Sequence, residues 1–321
     1  MRVFPLAGRR VSSCWQRLGL WAALTMAVAG TGCAPALLHV AMGTERGRSS
    51  LRAHEVSVGG VRHTVLSRRG DGPGPTAVLL HGFGGDKDNW TRMAAHLPSS
   101  WNLLVPDLAG FGQSERRDDV HHDIVAQAER VHLLIQQAAS RPVILVGNSM
   151  GGHIAAATAA LYPDDVAFLV LLDPAGVVSP EPSEVRAAIA RGEPNPLLTT
   201  SVDDFDRLMG LMFVHPPELP GVVKSYFAER AAENRPWNDR VFQEMGTRPF
   251  PLESHLGAIR ARTLVLWGAE DKVLHKSGGP VFVGGIKDAQ LVIMEGTGHT
   301  PMIERPADTA AVVADFVGIG G

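Results

Sequence analysis

The stretch VILVGNSMGG, residues 143–152, leads an apolar run directly into a serine with glycines on both sides. Gly147 and Gly151 flank Ser149 in the pattern G-x-S-x-G, and an alanine-rich segment follows. A serine on a sharp turn between a strand and a helix needs small neighbours, because the backbone is crowded there. This context predicts that the Ser149 hydroxyl is exposed at the carboxyl edge of a sheet and acts as a nucleophile. A glycine-rich turn with a purely structural purpose is the alternative.

Five further apolar runs resemble the one before Ser149 and end in polar or glycine-rich loops. They are PTAVLLHGFGG (75–85), NLLVPDLAGFGQS (102–114), VAFLVLLDPAG (166–176), RTLVLWGAED (262–271) and AQLVIMEGTGH (289–299). Segments with helical spacing of apolar residues lie between runs or after them, for example 123–139 and 306–318. Strands that alternate with helices predict an α/β fold with a mostly parallel central sheet and helices on both faces. A Gly-Gly pair near residue 59 lies between two short β-like stretches, and it predicts a hairpin that precedes the parallel strands in the chain.

One region interrupts this alternation. Residues 177–259 show no apolar strand pattern but contain helical pieces, including one on each side of Pro236. An insertion of this kind between two core strands predicts a helical cap. Most of its apolar side chains are expected to pack the cap against itself or the core, and the alternative is that some of them line an acyl pocket. The chain then divides into a core of residues 55–176 and 260–321, this cap, and a polar tether over residues 34–54.

The N-terminus predicts a targeting segment. Basic residues precede the apolar run at 18–30, which has the length of a signal peptide and is too short to span a membrane comfortably. GTGC at 30–33 resembles a bacterial lipoprotein box, so residues 1–33 are expected to form a signal peptide of lipoprotein type with Cys33 acylated. Cleavage after the AVA at 27–29, or an uncleaved apolar anchor, is the alternative. Each possibility places the protein in the cell envelope, either membrane-anchored through its N-terminus or exported.

Composition limits the partners. The chain has 321 residues, of which 45% are apolar and 20% charged, as in a globular protein with a full core. Its formal net charge of −3, without a basic patch, gives no reason to expect nucleic acid as a partner. The two cysteines, Cys14 and Cys33, lie near the N-terminus, so the rest of the chain holds neither a disulfide nor a cysteine metal site. The sequence carries no indication of oligomeric state.

A neutral serine is a poor nucleophile and needs a base, which in turn needs an acid to hold its tautomer. His299 is the candidate base, because it directly follows an apolar strand in the C-terminal half. Asp271, in the loop after the penultimate strand, is the candidate acid. Glu270 is its adjacent competitor, and Asp173, which follows another strand, is the reserve candidate.

Two backbone N–H groups are expected to stabilise the negative charge that develops on the carbonyl oxygen. One belongs to Met150, directly after the nucleophile, and the other to Phe83 in the HGFGG loop. Only the amides of these two residues matter for this role. His81 is expected to brace the same loop. The HHD sequence at 121–123 predicts a solvated helix cap rather than a metal site, and no metal or organic cofactor is expected.

Five motifs, in this order, resemble the α/β-hydrolase superfamily from about residue 55 to the C-terminus. They are HGFGGDKDNW, PDLAGFGQS, VGNSMGG, LWGAEDKV and GTGHTPMIERP. The first is most similar to bacterial lipases and esterases related to monoacylglycerol lipases. The resemblance implies an α/β-hydrolase fold and a serine carboxylester hydrolase with the triad Ser149, Asp271 and His299, in the chain order of that fold. A small-molecule or lipid ester is then the expected substrate, and the envelope location favours acylglycerols.

Three alternatives to the ester hydrolase remain. GNSMGG is also similar to the corresponding turn of C–C bond hydrolases of the meta-cleavage-product type, although the HGxGPG loop typical of those enzymes is absent. A hydrolase-fold binding protein with little turnover can keep all three triad residues. A surface lipoprotein with an adhesive or structural role is the third alternative. Turnover separates enzymes from binding proteins, and substrate choice separates the two enzyme classes.

Overall fold

The computed structural model describes residues 34–199 and 201–318. The predicted signal peptide and Cys33 lie outside these residues. The strands are β1 (Arg52–Val58), β2 (Val61–Arg68), β3 (Thr76–Leu80), β4 (Asn102–Pro106), β5 (Val143–Asn148), β6 (Val166–Leu172), β7 (Arg262–Gly268) and β8 (Ala289–Met294). The helices are α1 (Ala34–Arg48), α2 (Thr91–Ala94), α3 (Ile124–Ala138), α4 (Met150–Leu161), α5 (Glu184–Ala190), α6 (Val202–Met212), α7 (Gly221–Thr247), α8 (Gly279–Gly285), α9 (Pro301–Glu304) and α10 (Pro306–Val317). None of these described helices combines the length and the hydropathy needed to span a membrane.

All eight strands form one sheet in the order β1-β2-β4-β3-β5-β6-β7-β8. β1 and β2 form an antiparallel hairpin, β2 pairs antiparallel with β4, and every pair from β4 to β8 is parallel. Gly59 and Gly60 connect the hairpin with φ of 56° and 76°, the left-handed conformation that favours glycine in a two-residue turn. The predicted hairpin and the mostly parallel sheet are confirmed.

The sheet is covered on both faces, because its central strands are apolar on both sides. In β5, Val143 and Leu145 belong to one buried cluster, whereas Ile144 and Val146 belong to another. Helices α3, α4 and α8 contribute to the first cluster, and α2 and α10 contribute to the second. Because the strands from β4 to β8 in the sheet order are parallel, their carboxyl ends lie at the same edge, where ligands bind in open α/β sheets.

Between β6 and β7 the chain leaves the sheet and forms α5, α6 and α7, here called the cap. Helix α7 is 27 residues long and runs through Pro236, so the pieces predicted on either side of this proline form one helix. The ring of Trp237, the next residue, packs edge-to-face on His122, with ring centroids 5.1 Å apart. Arg116 and Arg240 lie over the same ring, at 5.7 and 5.3 Å from its centroid. These contacts hold the helix where proline removes one backbone donor.

The polar tether predicted over residues 34–54 is wrong, because its first part forms helix α1 and its last part belongs to β1. The Arg46 guanidinium donates two hydrogen bonds of 2.6 Å to the Asp88 carboxylate. Arg92 donates to Glu45 at 3.1 Å. Isolated helices of this length are marginal in water, so α1 is stabilised by these tertiary contacts to the segment after β3.

The close packing of α4 on β3 makes a specific prediction. A Cβ atom on Gly151 would lie 2.3 Å from the Leu80 carbonyl oxygen and 2.5 Å from that of His81. Both neighbours are backbone, so Gly151→Ala is expected to destabilise the fold by about 3 kcal/mol. The melting temperature would then fall by roughly 6–12 °C.

Gly210→Ala is the matched control. Gly210 lies in α6 and is exposed, and a Cβ atom at this position would have no neighbour within 4 Å among the described residues. Alanine is the better helix former, so this variant is expected to gain about 0.5–1 kcal/mol. Equal melting temperatures for the two variants in differential scanning calorimetry would contradict the packing of α4 on β3.

Candidate active site

Ser149 occupies the turn between β5 and α4, with φ of 54° and ψ of −119°. Such a backbone conformation costs a residue other than glycine about 1–3 kcal/mol, so neighbouring contacts must hold it. The Ser149 N–H donates to the Leu172 carbonyl, and its own carbonyl accepts from the His153 N–H, both at 3.1 Å. A Cβ on Gly147 would lie 2.1 Å from the Gly151 carbonyl oxygen. The turn therefore requires the small residues of the G-x-S-x-G pattern, and it leaves the Ser149 side chain half-buried at the sheet edge.

His299 and Asp271 are in direct contact. The Nδ1 atom of His299 forms a hydrogen bond of 2.8 Å with Oδ2 of Asp271, and both side chains are buried. Oδ1 of Asp271 accepts from the N–H groups of Val273 and Leu274, and Oδ2 accepts from the Trp267 indole. These donors fix the carboxylate, and the carboxylate orients the imidazole with Nδ1 as donor. Nε2 of His299 is then the nitrogen that accepts a proton.

The other two candidate acids are placed differently. Glu270 accepts a backbone N–H from the loop before His299 at 3.0 Å and makes no hydrogen bond to the imidazole. Asp173 is fully buried after β6, and its Oδ1 accepts the Gly268 N–H at 2.8 Å. Polar atoms of Asp173, Asp271 and His299 lie within 4.8 Å of one another. Burial, followed by the Asp271 carboxylate, raises the pKa of Asp173 well above its usual range.

Asn148 and Gly82 connect the serine turn to the other two loops. The Asn148 side-chain amide donates to the carbonyl oxygen of His299 at 3.0 Å and to that of Leu172 at 3.1 Å. A Cβ on Gly82 would lie 3.2 Å from the Cβ of Ser149, so the loop after β3 passes beside the candidate nucleophile. Sequence reasoning missed Asn148, and its only signal there is a polar residue at the end of an apolar strand.

The predicted oxyanion donors lie at the start of α4 and in the loop after β3. Met150 is the first residue of α4, where backbone N–H groups have no intrahelical partner and the helix dipole favours negative charge. Phe83 lies in the loop after β3, and its ring packs edge-to-face on Phe111 and Phe242. Within the described part of the chain, neither the Phe83 nor the Met150 N–H donates a backbone hydrogen bond. Both amides therefore remain candidate oxyanion donors.

Buried polar contacts fix the loop that carries Phe83. Nε2 of His81 accepts from the Leu108 N–H at 3.0 Å, so His81 braces the loop against the segment after β4. Burial lowers the pKa of His81, which favours the neutral ring that can accept this hydrogen bond. Lys87 donates to the Asp107 carboxylate through its backbone N–H (2.7 Å) and through Nζ (2.9 Å). This buried ion pair is a second support that sequence reasoning missed.

Glu304 attaches the cap to the loop that carries His299. One oxygen of Glu304 accepts two backbone N–H groups that follow α6, at 2.9 and 2.8 Å. Its other oxygen accepts the Gly298 N–H at 2.8 Å. The His299 N–H donates to the Met212 carbonyl at the end of α6, at 2.9 Å. The end of α6 therefore forms one wall of the site beside the candidate base.

Two groups of histidine and carboxylate side chains in the described part of the chain are close enough to hold a metal ion. They are His121, Asp123 and Glu244, and Asp173, Asp271 and His299. In the first group, Arg248 lies 2.7 Å from the Asp123 carboxylate and 3.2 Å from Nε2 of His121, so an arginine supplies the positive charge. Asp123 caps α3 as predicted, but it is buried rather than solvated. The second group is the hydrogen-bonded candidate site itself.

The chain belongs to the α/β hydrolase fold family, whose sequence profile matches residues 75–306. It is 33% identical over 303 residues to Lipase 3 of Moraxella sp. (strain TA144), covering 92% of this chain and 95% of that protein. It is 28% identical over 256 residues to monoacylglycerol lipase ABHD6 of Mus musculus, covering 76% of this chain and 75% of that protein. A crystal structure of a membrane phospholipase A, described as a novel bacterial virulence factor, shares 40% identity and a TM-score of 0.86 over 94% of this chain and 97% of that one. The predicted resemblance is confirmed, and the protein is a carboxylic ester hydrolase of the lipolytic type.

Proposed function

We propose that the protein is a lipase or esterase of the bacterial cell envelope that hydrolyses acylglycerols through the triad Ser149, His299 and Asp271. The observation that carries this proposal is the buried 2.8 Å hydrogen bond between His299 and Asp271, on a loop that Asn148 ties to the serine turn. The lipase and monoacylglycerol lipase relatives support a lipid ester substrate. The N-terminal sequence supports export and membrane attachment through an acylated Cys33.

The reaction has two halves. In the first, Nε2 of His299 takes the Ser149 proton while Oγ attacks the ester carbonyl, and the Phe83 and Met150 amides stabilise the oxyanion. The intermediate collapses to an acyl-serine, and the alcohol leaves with the proton from His299. In the second half, His299 takes a proton from water, which attacks the acyl group. The fatty acid then leaves, and Ser149 regains its proton.

A phospholipid is the second candidate substrate. The observation that favours it is the 40% identity to a protein described as a membrane phospholipase A, which exceeds the 28% identity to the mouse monoacylglycerol lipase. Both substrates present an acyl ester to the same serine, so the chemistry is unchanged and only the alcohol part differs. We propose acylglycerols as the first candidate substrate, because the first motif resembles lipases and the curated relatives are named lipases.

The test uses the full-length chain in detergent micelles. We expect hydrolysis of p-nitrophenyl butyrate and of a long-chain monoacylglycerol, with kcat/KM for the monoacylglycerol at least about tenfold above that for a diacylphosphatidylcholine at equal mole fraction. A difference of this size corresponds to about 1.4 kcal/mol of preferential transition-state binding. Faster cleavage of the phospholipid would assign the second candidate. Cleavage of a ring-fission product without any ester turnover would assign the C–C hydrolase alternative, and no turnover at all would assign the binding protein.

A further inference from the structure

Asp173 is a buried carboxyl group that the proposed mechanism leaves unused. It follows β6 at the carboxyl edge of the sheet, and its φ is 45°, a value rare outside glycine. Its N–H donates to the Leu266 carbonyl at 2.9 Å, which fixes its backbone against β7. A buried acid in a strained conformation beside a candidate triad indicates a role beyond packing.

The two carboxyl oxygens of Asp173 have different surroundings. Oδ1 accepts the Gly268 N–H at 2.8 Å, whereas Oδ2 is buried and has no hydrogen-bond donor among the described residues. An ionised carboxylate is acceptor-only, so a buried oxygen without a donor is unfavourable for it. A protonated carboxyl group instead needs one acceptor for its O–H. The surroundings of Asp173 therefore fit the neutral acid.

Asp271 is the candidate acceptor, because an oxygen of its carboxylate lies within 4.8 Å of an oxygen of Asp173. The charged or titratable groups that face Asp173 are Asp271 after β7, His299 after β8 and Glu304 on α9. Two of these three are acids, so an ionised Asp173 would be a third negative charge around one imidazole. Burial and the Asp271 carboxylate both act against that charge, and they raise the pKa of Asp173.

We propose that Asp173 is a positioning residue of the triad, protonated at neutral pH, which donates its O–H to the Asp271 carboxylate and accepts the Gly268 N–H. The inference rests on the proposed function, because Asp271 is the group that Asp173 positions. The neutral acid holds Asp271 in line with His299 and adds no further negative charge around the imidazole. A carboxylic acid kept neutral by its surroundings so that it can donate a hydrogen bond is an established device in enzymes.

Two substitutions at position 173 separate this role from simple packing. Asp173→Asn keeps both hydrogen bonds, because its amide oxygen accepts from Gly268 and its amide nitrogen donates to Asp271. This variant is expected to keep kcat/KM within about threefold of the parent. Asp173→Ala loses both hydrogen bonds, and kcat is expected to fall about 10–100-fold with KM changed less than about threefold, because Asp271 is no longer held in place.

The protonation state has its own readouts. The acidic limb of the pH profile of kcat/KM reports the catalytic base of the free enzyme. If Asp173 is already neutral, Asp173→Asn leaves the midpoint of that limb unchanged. If Asp173 is ionised, the substitution removes a charge that favours the protonated imidazole, and the midpoint moves to lower pH by about one unit or more. The difference infrared spectrum of parent minus Asp173→Asn at neutral pH is expected to show the carbonyl stretch of a protonated carboxylic acid.

All measurements use the full-length chain in detergent. An unchanged midpoint, the carboxylic-acid band and an active Asp173→Asn variant support the inference. A shifted midpoint, a missing band, or an Asp173→Asn variant as impaired as Asp173→Ala overturns it. If Asp173→Ala does not fold, the asparagine variant and the spectrum still decide. Retained activity in Ser149→Ala would refute the proposed function instead, so the two failures are distinguishable.

Discussion

Ser149→Ala is expected to lower kcat/KM for p-nitrophenyl butyrate by about 10³–10⁶-fold, because no other group replaces the nucleophile and only the oxyanion donors and binding remain. Alanine keeps the Cβ of serine, so the strained turn at φ of 54° is retained and the melting temperature is expected to change little. The measurement is the steady-state hydrolysis rate of the purified variant over a range of ester concentrations.

Ser254→Ala is the matched control. Ser254 is exposed near the cap, and its hydroxyl donates to the Pro251 carbonyl at 2.8 Å and lies 3.1 Å from Nδ1 of His255. Loss of these two exposed hydrogen bonds is expected to leave kcat/KM within about twofold of the parent. A folded Ser149→Ala variant that kept more than about one tenth of the parent rate would remove Ser149 from the mechanism.

Asp271→Asn is expected to lower kcat about 10³–10⁴-fold with little change in KM. The neutral amide does not stabilise the imidazolium that forms when His299 takes the serine proton. Its NH₂ group also favours the wrong tautomer of the ring. The 2.8 Å contact between Nδ1 of His299 and Oδ2 of Asp271 is the interaction that this substitution alters.

Glu270→Gln is the control for this pair of acids. Glu270 precedes Asp271 in sequence, but its carboxylate accepts a backbone N–H from Thr297, which a glutamine oxygen can also accept. Its kcat is expected to stay within about threefold of the parent. A larger loss in Glu270→Gln than in Asp271→Asn would show that Glu270 is the acid partner of His299.

The fold was predictable from the sequence, because the central parallel strands are buried on both faces and their sequences are unbroken apolar runs. VILVGN in β5 and VAFLVLL in β6 are such runs, and the residues that follow them lie at one edge of the sheet. The candidate triad was predictable because Ser149, Asp271 and His299 each follow an apolar run, although the run before His299 forms β8, a partly buried edge strand.

Other features depend on contacts that no local pattern encodes. Helix α1 contains two glycines, and the ion pair from Arg46 to Asp88 that holds it joins residues 42 positions apart. The hydrogen bond from Asn148 to the His299 carbonyl spans 151 positions. Asp173 was identified only as a reserve acid, since its proximity to Asp271 arises from the pairing of β6 with β7. Sequence periodicity describes which face a residue lies on, but it does not describe such pairs.

Covalent trapping tests the central claim most directly. An alkyl fluorophosphonate phosphonylates an activated serine and mimics the first half of the proposed reaction. After full inactivation of the full-length chain, intact mass spectrometry and peptide mapping are expected to find one adduct, on Ser149, which forms much more slowly in His299→Ala. Complete inactivation with the adduct on another residue, or continued ester hydrolysis by protein fully modified at Ser149, would contradict the assignment of Ser149 as the nucleophile.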